Sequence, residues 1–115
     1  MSVKVTIYHN PRCSKSRETL KLIEDRGIAP LVIDYLKTPP DEAELTRILV
    51  LLGKRPAEII RKKEAAEAGV DPAALDDAAL IRAMAAHPAI IERPIVVTAT
   101  RAALGRPPES VLDIL

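Results

Sequence analysis

The apolar positions of this chain follow two periods, and the switches between them mark out its elements. Val3, Val5 and Ile7 alternate with Lys4 and Thr6 ahead of Tyr8, the period-two pattern of a strand. His9-Asn10-Pro11 then predicts an interruption. A helix follows, starting around Cys13 or Ser14, running through Leu20 and Ile23 and stopping at Gly27. Leu31, Val32 and Ile33 predict a second strand over residues 29–35. The order is β-α-β, with a helix long enough to carry a crossover between parallel strands.

Thr38-Pro39-Pro40 closes that unit. Asp41 and Glu44 have capping-box spacing ahead of the stripe Leu45, Ile48, Leu49 and Leu52, and Gly53 ends that helix. Pro56 fits the first turn of a further helical piece through Ile59, Ile60 and Arg61, which the charged, alanine-rich run 62–68 extends to Gly69. Asp71-Pro72 marks a turn, and Asp76 or Asp77 caps a helix carrying Leu80, Ile81 and Met84 that ends near His87-Pro88. After Arg93-Pro94, the β-branched run Ile95-Val96-Val97-Thr98 predicts a strand, and Ala102 to Leu104 returns as its hairpin partner. Gly105-Arg106-Pro107-Pro108 breaks the hairpin before a short last helix from Glu109 to Leu115. The prediction is an α/β fold: a β-α-β half and a β-β-α half, with a helical insert at about 40–90, in a single domain over 1–115.

Composition narrows the classes further. A content of 48% hydrophobic and 29% charged residues with a net charge of +1 is that of an ordinary globular chain and points to neither nucleic acid nor membrane as partner. Tyr8 and Tyr35 are the only aromatic residues, too few for a base-stacking platform. No apolar stretch reaches bilayer length, and the start runs into a strand without a cleavage pattern. A single cysteine suits a reducing compartment, so the expected location is the cytoplasm, and no apolar helix face argues against a monomer.

That cysteine, Cys13, is the candidate for chemistry. It lies between a strand and a helix start, with Arg12, Lys15 and Arg17 close by, a setting that lowers a thiol's pKa and favours the nucleophilic thiolate. The free N–H groups of a helix start would also suit an oxyanion. A lone cysteine is often only a small core residue, but a place between Arg12 and Ser14 at an element boundary fits a core poorly. His9, four residues upstream, can reach the thiol from the loop as electrostatic support, or bond locally as a polar loop residue. His87 reads as a helix C-terminal cap. A P-loop needs a glycine-rich run ending in Gly-Lys-Ser/Thr, which the four scattered glycines do not supply. A tyrosine-phosphatase-type loop needs an arginine six positions after its cysteine, where Thr19 stands. One cysteine and two distant histidines give no zinc site. Groups to hold an anion must come from elsewhere, and Arg61, Arg93 and Arg106 each sit at a break between elements with a planar fork suited to a tetrahedral oxyanion. Spacing alone does not bring them to one thiol.

Four segments carry a resemblance across essentially the whole chain: Tyr8-His9-Asn10-Pro11-Arg12-Cys13 with Ser16-Arg17, Ile60-Arg61-Lys62, Glu92-Arg93-Pro94-Ile95-Val96-Val97, and Gly105-Arg106-Pro107-Pro108-Glu109. In this order the chain resembles the glutaredoxin-dependent arsenate reductases, above all the short bacterial members without the longer C-terminal extension of the plasmid-type enzymes. The resemblance implies a thioredoxin-like fold and a cytoplasmic oxidoreductase of arsenic detoxification. It implies that Cys13 attacks arsenate to form a thiol–arsenate adduct, that Arg61, Arg93 and Arg106 bind the oxyanion, that His9 lies beside the thiol, and that Ser16 hydrogen-bonds near it. Pro94 matches the cis-proline next to the active site of this fold. Glutathione is the implied co-substrate and attacks the adduct, glutaredoxin resolves the mixed disulfide, and no cofactor or metal is bound. Ser16 stands three positions after Cys13, where related redox proteins have a second cysteine, so resolution must be intermolecular. Gly105 stands where plasmid-type enzymes commonly carry a non-nucleophilic cysteine. Two other readings remain: a binding protein of the same redox family acting on RNA polymerase, and a thiol-dependent reductase of another substrate.

Overall fold

The computed structural model describes residues 4–115, so Val3 of the expected first strand lies outside the described residues. The elements run β1 (Thr6–His9), α1 (Ser14–Asp25), β2 (Leu31–Asp34), α2 (Glu42–Leu52), α3 (Lys62–Glu67), α4 (Asp77–Ala86), β3 (Ile95–Val97) and β4 (Ala102–Leu104), with 3-10 segments at Pro56–Ile59, Pro88–Ile90 and Pro108–Ile114. They form two compact units. One combines the described residues up to Thr38 with Arg93–Leu115, and the other is Pro39–Glu92.

The first unit is built on a mixed four-stranded sheet of order β2-β1-β3-β4. β1 runs parallel to β2 and antiparallel to β3, placing Ile7 opposite both Val32 and Val96. Val5, Ile7 and Val96 share one face and pack with Ile23 of α1 and Val111 of the last 3-10 segment. Each such fully buried aliphatic side chain contributes about 1.5–3 kcal/mol of transfer free energy. Tyr8, Ile95 and Val97, on the alternate positions, are buried too, so the central strands are covered on both faces. β2 is an edge strand: Leu31 is 62% exposed, and the apolar run that predicts the strand adds little to the core.

Two expectations need correction here. β1 does not stop before His9, which is its last residue and pairs with Asp34. The final segment is 3-10 rather than α-helical, with Ser110 N–H donating to the Pro107 carbonyl at 3.0 Å. Seven residues gain little from α-helical cooperativity, and the packing of Val111 and Ile114 decides the geometry.

In the second unit Asp41 caps α2, its Oδ1 accepting from Glu44 N–H at 2.8 Å. Gly53 closes the helix at φ 66°, a left-handed conformation costly for any residue with a Cβ. α2 packs on α4, which Asp76 caps through Ala79 N–H at 2.8 Å and His87 terminates. The helix expected to run on from Pro56 through 62–68 is instead broken at Ile60. That residue bridges to Ile91, while Arg61 N–H donates to the Ile90 carbonyl at 2.7 Å and Glu92 N–H to the Ile59 carbonyl at 2.8 Å. A pairing between residues 31 positions apart overrides the local helix propensity of the lysine, glutamate and alanine run. Among the described residues no helix is long and apolar enough to cross a membrane.

Candidate active site

The register of the sheet brings three distant stretches to one end. β1 finishes there at His9; β3 begins there with Ile95, opposite Tyr8; β4 finishes there with Leu104, opposite Ile95. The turn after His9, the Arg93-Pro94 pair before β3 and the Gly105-Arg106 pair after β4 therefore share one edge. Gly105 N–H extends the ladder by donating to the Pro94 carbonyl at 3.0 Å. The Arg93–Pro94 bond is cis, as the resemblance implies, and Arg106–Pro107 is cis as well. Gly105 is needed for close approach rather than for its φ. A Cβ built there would overlap Thr19 Oγ1 and lie 2.6 Å from Pro94 Cγ, so β4 can sit this tightly against α1 because that position carries only hydrogen.

Asn10 to Cys13 form the turn from β1 into α1. Cys13 N–H donates to the Asn10 carbonyl at 3.0 Å, and Arg12 N–H donates to Asn10 Oδ1 at 3.0 Å. Arg17 reaches back from the first turn of α1, its Nη1 donating to the Pro11 carbonyl at 3.0 Å. Cys13 is the N-cap of α1, with φ −93° and ψ 123°, and its side chain makes no capping bond. A half-buried sulfur thus stands where helices usually carry a serine, threonine or aspartate oxygen. The first helical bond is from Arg17 N–H to the Cys13 carbonyl, at 3.0 Å.

Ser16, fully buried, links the turn to the strand. Its Oγ accepts from Asn10 N–H at 3.0 Å and lies 2.6 Å from His9 Nδ1. With one lone pair engaged by Asn10, the hydroxyl either donates its proton to Nδ1 or accepts from Nδ1–H through its second lone pair, according to the tautomer of the ring. The ring is buried, and burial lowers its pKa below 6.5, opposed by the Asp34 carboxylate and helped by the Arg17 guanidinium. His9 is accordingly held neutral at physiological pH. Because the folded pKa is the lower one, the unfolded chain binds more protons as pH falls. The contribution of this ring to stability is complete above pH 6.5 and is lost as pH drops through the folded value. Between pH 7.5 and 5, the melting temperature of wild type is expected to fall more than that of His9→Gln, and histidine NMR titration is expected to place the His9 midpoint below 6.5. A midpoint above 6.5 would contradict the assignment.

Arg106 closes the site from the β4 side. Its Nε donates to the Arg93 carbonyl at 2.8 Å, and its Nη2 lies 3.8 Å from Cys13 Sγ, the long end of the range for a sulfur acceptor. One planar group thereby spans an anchor and the thiol. Arg93 is half-buried, with Nε and Nη1 shielded from solvent. The structure thus brings Cys13, His9, Ser16, Arg93 and Arg106 into one bonded neighbourhood with Pro94. Arg61 belongs to the other compact unit, at the N-cap of α3, where Glu64 lies 2.7 Å and Glu92 3.8 Å from its guanidinium. Asn10 and Arg17 have the most bonds to the turn, and neither was among the expected site residues. Asn-Pro at a strand end is a turn signal that could have marked Asn10, whereas nothing in the sequence aims Arg17 at Pro11.

This arrangement offers an accessible sulfur at a helix start, a guanidinium aimed at it, and no second thiol in the sequence. Comparison with known proteins agrees. The chain is 49% identical to YfgD, an uncharacterized protein of Escherichia coli strain K12, over 100% of this chain and 99% of that one. It is 50% identical to an arsenate reductase of Neisseria meningitidis serogroup A, over 97% and 98% of the two chains. The solved structure of an arsenate reductase from Vibrio cholerae superposes with a TM-score of 0.90 at 51% identity, covering 100% of both chains. That likeness extends to the thioredoxin-like arrangement of sheet and helices. The model of the ArsC family matches residues 8–114, from Tyr8 in β1 to the final 3-10 segment, and the chain belongs to the ArsC family.

Proposed function

We propose that this protein reduces arsenate to arsenite through Cys13, with glutathione and glutaredoxin supplying the electrons. The observation that carries the reading is the thiol at the α1 N-cap with Arg106 Nη2 3.8 Å away, in a chain half identical over nearly its full length to proteins named arsenate reductase. The Cys13 sulfur attacks arsenic, an As–O bond breaks, and the oxygen leaves as water after protonation. Arg106 and Arg93 offset the oxyanion's charge during attack. A glutathione thiolate then attacks Sγ. The S–As bond breaks with its electron pair passing to arsenic, which leaves as arsenite, and Cys13 remains as a mixed disulfide with glutathione. A glutaredoxin thiolate attacks the glutathione sulfur and returns the Cys13 thiol. One arsenic is reduced by two electrons and two thiols become one disulfide.

Ser16 and His9 support this chemistry by position. The buried hydroxyl joins the turn to the neutral ring, which fixes where α1 starts relative to β1. Metal and bound cofactor have no part in this reading. A thiol that must be regenerated by glutathione in every cycle needs a reducing compartment, so the cytoplasm is its setting, and a monomer suffices because every group named lies on one chain.

The test is purified protein with arsenate, glutathione and glutaredoxin. Arsenite is expected in a one-to-one ratio with the disulfide formed, and only when all three are present. Thiol oxidation that proceeds equally without arsenate would exclude arsenate as the substrate.

A further inference from the structure

The geometry points to Asn10 as a positioning residue for Cys13, acting through the turn that carries the thiol. Three bonds leave this one residue. Its carbonyl accepts from Cys13 N–H at 3.0 Å, its N–H donates to Ser16 Oγ at 3.0 Å, and its Oδ1 accepts from Arg12 N–H at 3.0 Å. The first sets the backbone of the nucleophile. The second ties the same peptide to the buried serine and, through it, to His9. The third depends on the side chain, and it closes an Asx turn over Pro11, holding Asn10, Pro11 and Arg12 in the shape that presents Cys13 as the helix N-cap.

The three bonds work together because Cys13 makes no capping bond of its own. A serine or aspartate at an N-cap is oriented by the helix N–H that it binds. Here the sulfur has no such restraint, and its direction toward Arg106 depends on the backbone that precedes it. A displacement of about 1 Å at a reacting atom can slow a reaction by up to about 10²-fold. Truncating Asn10 leaves the two backbone bonds and the Arg17 strap to the Pro11 carbonyl in place, so the chain is expected to fold while the turn samples a wider range.

This proposal rests on Cys13 being the nucleophile of the reading above. The experiment compares wild type, Asn10→Ala and Asn10→Ser by steady-state arsenate reduction, by the rate of Cys13 alkylation with iodoacetamide at one pH, and by thermal melting. Asn10→Ala is expected to lower kcat about five- to twentyfold with KM for arsenate changed less than about twofold, and to slow alkylation about threefold or more. Asn10→Ser, whose hydroxyl can accept from Arg12 N–H across the same turn, is expected to recover most of both rates. The proposal is overturned if Asn10→Ala matches wild type, if Asn10→Ser is as impaired as Asn10→Ala, or if the rates fall only in step with a lost folded fraction. Alkylation needs no arsenate. Wild-type protein inactive on arsenate would therefore remove the substrate assignment, and the alkylation comparison would still decide the role of Asn10.

Discussion

Cys13→Ser is expected to abolish arsenate reduction, with kcat lowered on the order of 10⁴-fold or more, while leaving the fold as stable as before or slightly more stable. The two halves of this expectation come from the same geometry. Cys13 is the N-cap of α1 and makes no capping bond, whereas serine is among the best N-cap residues. A hydroxyl introduced there can accept from the free N–H groups of the first turn, a gain of about 0.5–1 kcal/mol from the capping scale. A hydroxyl is not ionised at neutral pH, forms no stable bond to arsenic, and cannot enter a mixed disulfide. No neighbour can replace it. Ser16 is fully buried, engaged with both Asn10 and His9, and the sequence holds no other cysteine. Arsenite formation and a thermal melt of the same sample decide the matter. Turnover within tenfold of wild type would rule Cys13 out as nucleophile. A large loss of melting temperature would show instead that the sulfur is structural. If activity vanishes while the melting temperature holds or rises, this position has kept a residue that serves the reaction over the one that serves the helix.

Some of this architecture is legible in the chain because it rests on local rules. Val5 and Ile7 alternate about Thr6, Asp41 and Asp76 precede apolar stripes at capping distance, and Gly53 ends α2 where a positive φ is required. The hairpin of Ile95–Val97 with Ala102–Leu104 follows from β-branched residues bounded by turn formers. What misleads is decided at a distance. Nothing local separates the Pro56 segment from Lys62–Glu67; the break comes from Ile60 pairing with Ile91. His9 reads as a loop residue because it is polar and precedes Asn-Pro, yet its register with Asp34 and its bond to the buried Ser16 make it the end of a strand.

The site divides the same way. Cys13 stands out from its own neighbours, as a thiol at the junction of a strand and a helix. Arg106 lies 93 positions further on, and its approach to the thiol is fixed by the order β2-β1-β3-β4 and by the register of β3 with both neighbours. Those pairings are tertiary facts, so from sequence only a family resemblance could join the two residues. The role of Asn10 is hidden in the sequence for the opposite reason. Its bonds are local, but two of the three run through its backbone, which carries no residue-specific signal.

Arg106→Lys is expected to lower kcat/KM for arsenate by about 10²- to 10³-fold, close to the effect of Arg106→Ala, although the charge is kept. The guanidinium does two things at once: Nε donates to the Arg93 carbonyl at 2.8 Å, and Nη2 reaches toward Sγ at 3.8 Å. An ammonium is a single point on a flexible stem, so it can satisfy the carbonyl or face the sulfur and its oxyanion, but it cannot hold both at a fixed separation. The lysine variant should therefore resemble the alanine variant more than the wild type. If charge alone mattered, lysine would retain a third or more of wild-type kcat/KM, and the anchoring role of the Arg93 carbonyl would be excluded. Arg93→Ala provides the internal comparison. It removes a second guanidinium but leaves the backbone carbonyl, so Arg106 keeps its anchor. The double variant then measures how far the two guanidiniums act separately on the oxyanion: losses that multiply mean independent contributions. A double variant no worse than Arg106→Lys would mean instead that the two side chains act as one unit on the oxyanion.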